Sequence, residues 1–385
     1  MSMVTNKTKT HKLLPVLLSF IVMGFVDIIG VATGYIKQDF DLTDFAVQFL
    51  PMMVLLWFFV LSVPAGILQD KVGKRKMLNI GIWIQAFGMV LPFIHYSFPM
   101  MFVAFLMLGV GNTLIQVSAN PLLQDVSPPE KLSSLLSTGQ FIKAIISFAG
   151  PLITTFLATR FGDWKLIFAV YGVTSIVVAI WLGSTPIQES KPEREPATFK
   201  SCFSLLKNRF IFLMTLSIFL IVGAEVAINT NIANILMVKF GVTLERAAIG
   251  ISIFFAGEMV ARLIGAILLN WIKPRPFLLL ISFIALAGIV GVLISPGYIV
   301  ALLFIFLIGL GAGNMFPVIF TLALEKMPNR SNEISGLLVM AISGGAFIPP
   351  IVGFVSTVVT PLASMFVIGL CMLYVLWISL YVKRR

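Results

Sequence analysis

The stretch FLLLISFIALAGIVGVLI, residues 277–294, holds eighteen residues and no charge. Its apolar and polar residues do not alternate. A transmembrane barrel would instead show spans of about ten residues with strict alternation. A helix of about 20 apolar residues crosses a ~30 Å hydrocarbon core with every backbone group bonded internally. This stretch reads as such a helix. The same pattern recurs on either side of it. Twelve runs follow one another, at approximately residues 13–36, 46–69, 77–97, 99–124, 137–160, 164–184, 209–238, 244–270, 276–294, 296–324, 332–358 and 361–381. The fold class is therefore an all-α membrane protein with twelve transmembrane helices.

Composition agrees. Of the 385 residues, 59% are hydrophobic and 11% charged, against about 25% charged in soluble domains. The first run is too long for a signal-peptide core, and no small-residue cleavage site leads into a soluble domain. The net charge of +11 suggests nucleic acid until it is sorted by loop. Twenty of the 27 Lys and Arg then fall on the side that holds both termini, and five (Lys37, Arg160, Lys165, Lys239, Arg246) fall on the other. That is the positive-inside bias, so the charge reports topology, with both termini cytoplasmic. Cys202 and Cys371 sit in unrelated segments and suggest free thiols. No phosphate-binding G-x-x-x-x-G-K-[ST] occurs, and His11 and His95 form no metal cluster. An enzyme is not expected, nor any cofactor or metal. The energy source left is a gradient of protons or substrate.

The runs are joined by short turns except between the sixth and seventh. There STPIQESKPEREPATFKSCFSLLKN, residues 184–208, carries three prolines and seven charges. Phe199, Phe203 and Leu206 follow with the spacing of a helix lying along a membrane surface. The chain divides into an N-terminal six-helix half (1–184), a cytoplasmic linker (185–208) and a C-terminal six-helix half (209–385). Two such halves, each with nested inverted repeats, describe the major facilitator architecture.

The loop between runs 2 and 3 reads GILQDKVGKRK, residues 66–76. Gly66, Asp70, Lys71, Gly73, Lys74 and Arg75 match the signature G-x-x-x-D-[RK]-x-G-[RK]-[RK], so the chain resembles the major facilitator superfamily. Read as residues alone, the loop is also an ordinary basic inner loop. The resemblance implies that these six residues latch the outward-open state. At the inner end of run 4, Gln124 and Asp125 stand where the family usually has an arginine. Three further stretches are similar to the fucose permease branch, a family of proton-coupled fucose, galactose and glucose symporters. They are NTLIQVSANPLL (112–123), VGAEVAINTNIANIL (222–236), and MFPVIFTLALEK with SGLLVMAISGGAFIPPIVG (315–326, 335–353). Members of that branch carry their helix-1 aspartate at the position of Val31 and a glutamate at that of Gln116.

Five ionisable residues lie inside the runs: Asp27, Lys143, Glu225, Glu258 and Arg262. An intramembrane charge costs at least about 2.5 kcal/mol, so each is a candidate functional group. Glu258 and Arg262, four apart, read as a structural ion pair. Lys143 either snorkels to the interface or bonds into the cavity with Gln140. Asp27 and Glu225 lie near the centres of runs 1 and 7 with no basic residue one turn away. In this architecture those runs line the central cavity. Low-dielectric surroundings favour the neutral form of a carboxylate, so both are candidate proton-coupling sites, or else hydrogen-bonded packing residues.

Amides set the substrate side. Asn112, Gln116 and Asn120 make one stripe on run 4; Asn229, Asn231 and Asn234 follow Glu225 on run 7, and Asn314 lies in run 10. Amides donate and accept without charge, which suits sugar hydroxyls; interhelical bonding is the alternative. Trp57 either stacks on a pyranose or fills a packing gap. The expected binding set is Asn112, Gln116, Asn120, Asn229 and Asn314. The expected function is proton-coupled uptake of a hexose or deoxyhexose by alternating access. A drug/proton antiporter and a non-transporting sugar sensor are the alternatives. The expected partners are a small sugar, protons and the lipid bilayer, with no nucleic acid. The chain is expected to be a monomer in a bacterial inner membrane.

Overall fold

The computed structural model describes residues 2–42, 49–189 and 197–383. Every regular element among them is helical. In chain order these are α1 (Ser2–Gly24), α2 (Ile29–Asp39), α3 (Phe49–Val72), α4 (Lys74–Ile94), α5 (Phe98–Val126), α6 (Leu132–Phe161), α7 (Leu166–Ser184), α8 (Phe199–Ser204), α9 (Arg209–Phe240), α10 (Leu244–Leu268), α11 (Pro274–Ile294), α12 (Tyr298–Ala312), α13 (Met315–Lys326), α14 (Ser331–Met340), α15 (Gly344–Val358) and α16 (Pro361–Lys383). Among the described residues eleven spans are long and apolar enough to cross a membrane. The bent pair α1–α2, with 41° between its parts, makes a twelfth. The start of run 2 (46–48) and most of the charged linker cluster (190–196) lie outside the described residues.

Among the described residues three runs are interrupted. Run 1 passes through a single 3-10 turn at Phe25–Ile28 before resuming as α2. Run 10 breaks at Gly313–Asn314, between α12 and α13. Run 11 breaks at a 3-10 turn, Ala341–Ser343, between α14 and α15. Short 3-10 stretches inside a helix often mark hinges, and broken backbone at membrane depth persists only where protein groups satisfy it.

The chain forms two compact units. The first comprises Met1–Leu132, Gly139–Ser204 and Met327–Met340; the second comprises Ser133–Thr138, Leu205–Lys326 and Ala341–Arg385. Run 11 is thus split at its break, with α14 in the first unit and α15 in the second. Run 5 is split too, because the first turns of α6 pack in the second unit. In the first unit α5 is the central helix: from Leu114 to Leu123 every residue is buried. In the second unit α9 plays that part, and Lys239 near its end donates to the carbonyls of Val292 (2.7 Å) and Leu293 (2.5 Å) that close α11. A lysine at a helix C-terminus satisfies the orphan carbonyls and matches the helix dipole.

The linker segment after the sixth run forms the short helix α8 and a 3-10 turn, Leu205–Lys207. Phe199 and Phe203 are exposed, while Cys202 between them is buried. Among the described residues neither Cys202 nor Cys371 is in a disulfide, and both are buried.

Candidate functional site

The 3-10 turn in run 1 puts one charge on the surface of the first unit. Phe25, Val26 and Ile28 are buried and Asp27 is exposed. Phe25 anchors the turn by stacking on Tyr171 of α7, with ring centroids 3.8 Å apart. Gly24 allows the close approach of α1 to α6: a Cβ there would lie 2.9 Å from the Lys143 carbonyl oxygen. The same approach brings Ser147 to Asp27, and its hydroxyl donates to the Asp27 carboxylate. Asp27 is therefore neither desolvated nor without a partner, as its lone position in the sequence suggested. The helical spacing of Lys143 and Ser147 was the one sequence signal that Ser147 shares a face with an intramembrane charge. Lys143 makes no bond to Gln140.

The amide stripe of run 4 is buried in the first unit. Asn112 donates to the Met23 carbonyl (2.8 Å), and Gln116 donates to the Asn112 side-chain oxygen (2.9 Å). Asn120 donates to the Gln116 carbonyl (3.2 Å), which leaves its own side-chain oxygen buried with no partner among the described residues. Gln85 on α4 adds a bond to the Val22 carbonyl (2.8 Å). Asn112 and Gln85 thus satisfy the carbonyls just before the run 1 turn, as an interrupted helix at membrane depth requires. Trp57 packs beside Gly109 of α5, its ring nitrogen buried with no partner among the described residues.

In the second unit Arg262 donates to Glu258 at 3.1 Å and to the Gly313 carbonyl at 3.4 Å. Asn314 donates to the Ala261 carbonyl. The pair and the amide together fasten the break of run 10 to α10. The Asn314 side-chain oxygen is left buried without a partner among the described residues. Glu225 and Asn229 are half-buried on α9, one turn apart, and Asn231 bonds within its own helix. Glu225 is engaged in a contact of its own.

The GILQDKVGKRK loop is held inside the first unit. Gly66 faces Gly336 of α14: a Cβ on Gly66 would lie 2.7 Å from the Asn332 carbonyl oxygen. The Asp70 carboxylate accepts from the Asn332 side chain (2.5 Å) and from the Ala197 backbone N–H (2.9 Å). Gly73 takes φ +96°, a left-handed conformation that favours glycine. Glu189 then accepts from the backbone N–H groups of Lys74 (2.5 Å) and Arg75 (3.1 Å), capping α4 with a carboxylate. The Arg75 guanidinium donates to the Thr185 carbonyl, and Lys71 stays exposed. Lys74 reaches Asp125 at 2.7 Å, with both side chains under 5% exposed. Asp125, standing where the family pattern has an arginine, thus pairs with the motif's lysine. Beside this loop Glu333, fully buried, is clasped by Arg330 (2.7 and 2.8 Å) and by the Ser201 hydroxyl (2.6 Å). Sequence reasoning missed Glu189, Asn332 and Glu333, whose partners Lys74, Asp70 and Ser201 lie 115, 262 and 132 residues away, although Arg330, three residues before Glu333, was a local hint.

At the far end of α2, Asp39 accepts from Tyr96 and from the Trp164 ring N–H (2.9 Å), and Tyr35 stacks on Trp164 at 5.0 Å. Burial, and then the bond to Asp39, push the Tyr96 hydroxyl well above its ordinary range. Among the described residues no cluster of His, Cys, Asp and Glu is placed to hold a metal ion.

The family model of the Major Facilitator Superfamily matches residues 16–350. The chain belongs to this superfamily. It is similar to the glucose/galactose transporter of Brucella abortus, with 28% identity over 357 residues covering 87% of this chain and 85% of that one. It is also similar to the L-fucose-proton symporter of Escherichia coli, with 24% identity over 358 residues covering 83% and 81%. The crystal structure of the major facilitator transporter FucP in the outward conformation matches with a TM-score of 0.84 at 19% identity, over 96% of this chain and 97% of that one. Members of this superfamily are transporters, and the chain is not an enzyme. For a major facilitator, the interruptions of runs 1, 10 and 11 are the informative departures from straight helices, because discontinuous spans are where transporters place substrate and ion sites.

Proposed function

We propose that this chain takes up a neutral sugar, a hexose or deoxyhexose, by alternating access, with protons moving in the same direction. The observation that carries the reading is Asp27: one exposed carboxylate in a 3-10 interruption of a membrane span, held by a serine rather than an arginine. A carboxylate made neutral by a proton costs less to carry across the membrane interior than a charged one. The Brucella and Escherichia relatives support the substrate class by name. Glu225 is the second candidate for proton coupling. The orphaned oxygens of Asn120 and Asn314, with Gln116, Asn112 and Asn229, supply the neutral acceptors and donors that sugar hydroxyls need. Gly66, Asp70, Lys71, Gly73, Lys74 and Arg75 hold one conformation of the cycle. No cofactor is needed beyond the proton gradient. The lysine and arginine distribution supports cytoplasmic termini in a bacterial inner membrane, and the chain acts as a monomer.

The test is uptake by proteoliposomes, with a panel of hexoses and deoxyhexoses and an imposed pH gradient, acid outside. At least one sugar is expected to accumulate, and Asp27→Asn is expected to keep counterflow exchange while losing accumulation. Accumulation by Asp27→Asn equal to that of the parent protein would remove Asp27 from the coupling step. Absence of any sugar uptake would remove the substrate class.

A further inference from the structure

One charged group in the middle of the first unit has no place in the scheme above. Lys143 on α6 is half-buried, and among the described residues its ammonium makes no hydrogen bond or ion pair. A lysine at membrane depth without a counter-ion is costly and is normally retained for a purpose. Runs 1 and 5 lie side by side here in matched register. A Cβ on Gly24 would lie 2.9 Å from the Lys143 carbonyl oxygen, and one turn further on Asp27 meets Ser147. Lys143 and Ser147, four residues apart, share one face of α6, where side chains one turn apart are neighbours.

The Ser147 hydroxyl carries one hydrogen and has two acceptors in reach, the Asp27 carboxylate and the Lys143 carbonyl at 3.0 Å. With Asp27 ionised, the hydrogen belongs on the carboxylate. With Asp27 protonated, it is released to the carbonyl, and the serine oxygen accepts from the new acid hydroxyl. The other elements packed on this turn offer Tyr171 of α7, which feels the Asp27 charge, and the uncharged Asn112 of α5, bonded to the Met23 carbonyl just before the turn. Lys143 is the one cation among these groups.

We propose that Lys143 is a positioning residue for proton coupling, whose ammonium pairs with the ionised Asp27 carboxylate and leaves it when the carboxylate takes up a proton. The proton comes from water and joins a carboxylate oxygen; the ammonium keeps all three of its hydrogens. The proposal rests on the reading of Asp27 as the proton site.

It is tested without any substrate, by thermal unfolding of the full chain in detergent across pH. The variants are Asp27→Asn, Lys143→Met, Lys143→Arg and the double variant Asp27→Asn/Lys143→Met. The double variant is expected to melt above Asp27→Asn, because it removes the cation that the first substitution orphans. The pH step in melting temperature that Asp27→Asn abolishes is expected to move up in Lys143→Met by about one pH unit or more, since loss of a nearby cation disfavours the ionised acid. Lys143→Arg should return it to its original place. If Lys143→Met does not fold, the Lys143→Arg profile and the stability of the double variant decide. Additive destabilisation in the double variant, or a step that Lys143→Met leaves in place, would overturn the pairing. Uphill uptake of D-galactose by Asp27→Asn would instead overturn the coupling reading, while the melting cycle still judges the pair.

Discussion

Each unit contains a helix start that comes from the other half of the sequence, and the two are fastened very differently. In the first unit α14 lies glycine to glycine on α3, its Asn332 bonded to Asp70 and its Glu333 clasped by Arg330 and Ser201. Behind it stand the buried Lys74–Asp125 pair and the Glu189 cap on α4. In the second unit Ser133–Thr138 is fastened by the Ser134 hydroxyl donating to the Ala266 carbonyl at 2.5 Å. Equivalent positions in a repeated architecture therefore need not carry equal energy. Charge-assisted bonds are about twice as strong as neutral ones, and buried ion pairs are strongly destabilised by loss of one partner. The first unit is the stronger clasp.

Four substitutions probe that asymmetry. Lys74→Met strands the Asp125 carboxylate in a buried site and should cost about 3–5 kcal/mol. Unfolding in detergent should show most of that loss recovered in Lys74→Met/Asp125→Leu; no recovery would mean the pair acts through something other than charge. Gly66→Leu drives a side chain into the Asn332 carbonyl and the Gly336 backbone, with a cost of about 3 kcal/mol at the upper end of overpacking. Turnover in proteoliposomes should fall with it. Asp70→Asn keeps the shape and loses the charge assistance, about 1–2 kcal/mol, so transport should change rate with little change in sugar affinity. A parallel loss of affinity, read by ligand-induced fluorescence change, would contradict a purely conformational role. Ser134→Ala should cost about 1 kcal/mol or less. A larger effect there than at Asp70 would reverse the ranking of the two clasps.

The fold was legible because a bilayer leaves a chain little choice. Residues 277–294 must be helical to satisfy their own backbone, and the same reasoning places the other runs. The family of the chain was legible in GILQDKVGKRK. What the sequence hid were the breaks. Nothing in GFVDIIG announces a 3-10 turn, because the turn is held from outside by Tyr171, Gln85 and Asn112. Gly313 and the Gly344–Gly345 pair were available hints for runs 10 and 11, yet glycine is common in spans that stay straight. The candidate site was readable as residue types and not as contacts. Asp27 stood out by its charge, whereas Ser147, a small polar residue of a kind common inside helices, gave no sign of touching it. The amides of run 4 were visible as a stripe, but their bonds to Met23 and to one another depend on how α1 crosses α5.

The interruptions also have a consequence for solvent exchange. An unbroken span hides its amide hydrogens behind bonds that open only with the whole helix, whereas a 3-10 turn holds its amides by poorer geometry. In deuterium labelling, Phe25–Ile28 and Ala341–Ser343 should take up label well ahead of the flanking turns of α1 and α14, as isolated windows inside protected helices. Such windows place an intrinsic clock beside Asp27: any ligand or proton that straightens or tightens run 1 will register there as a slowed exchange rate, without a label or a mutation.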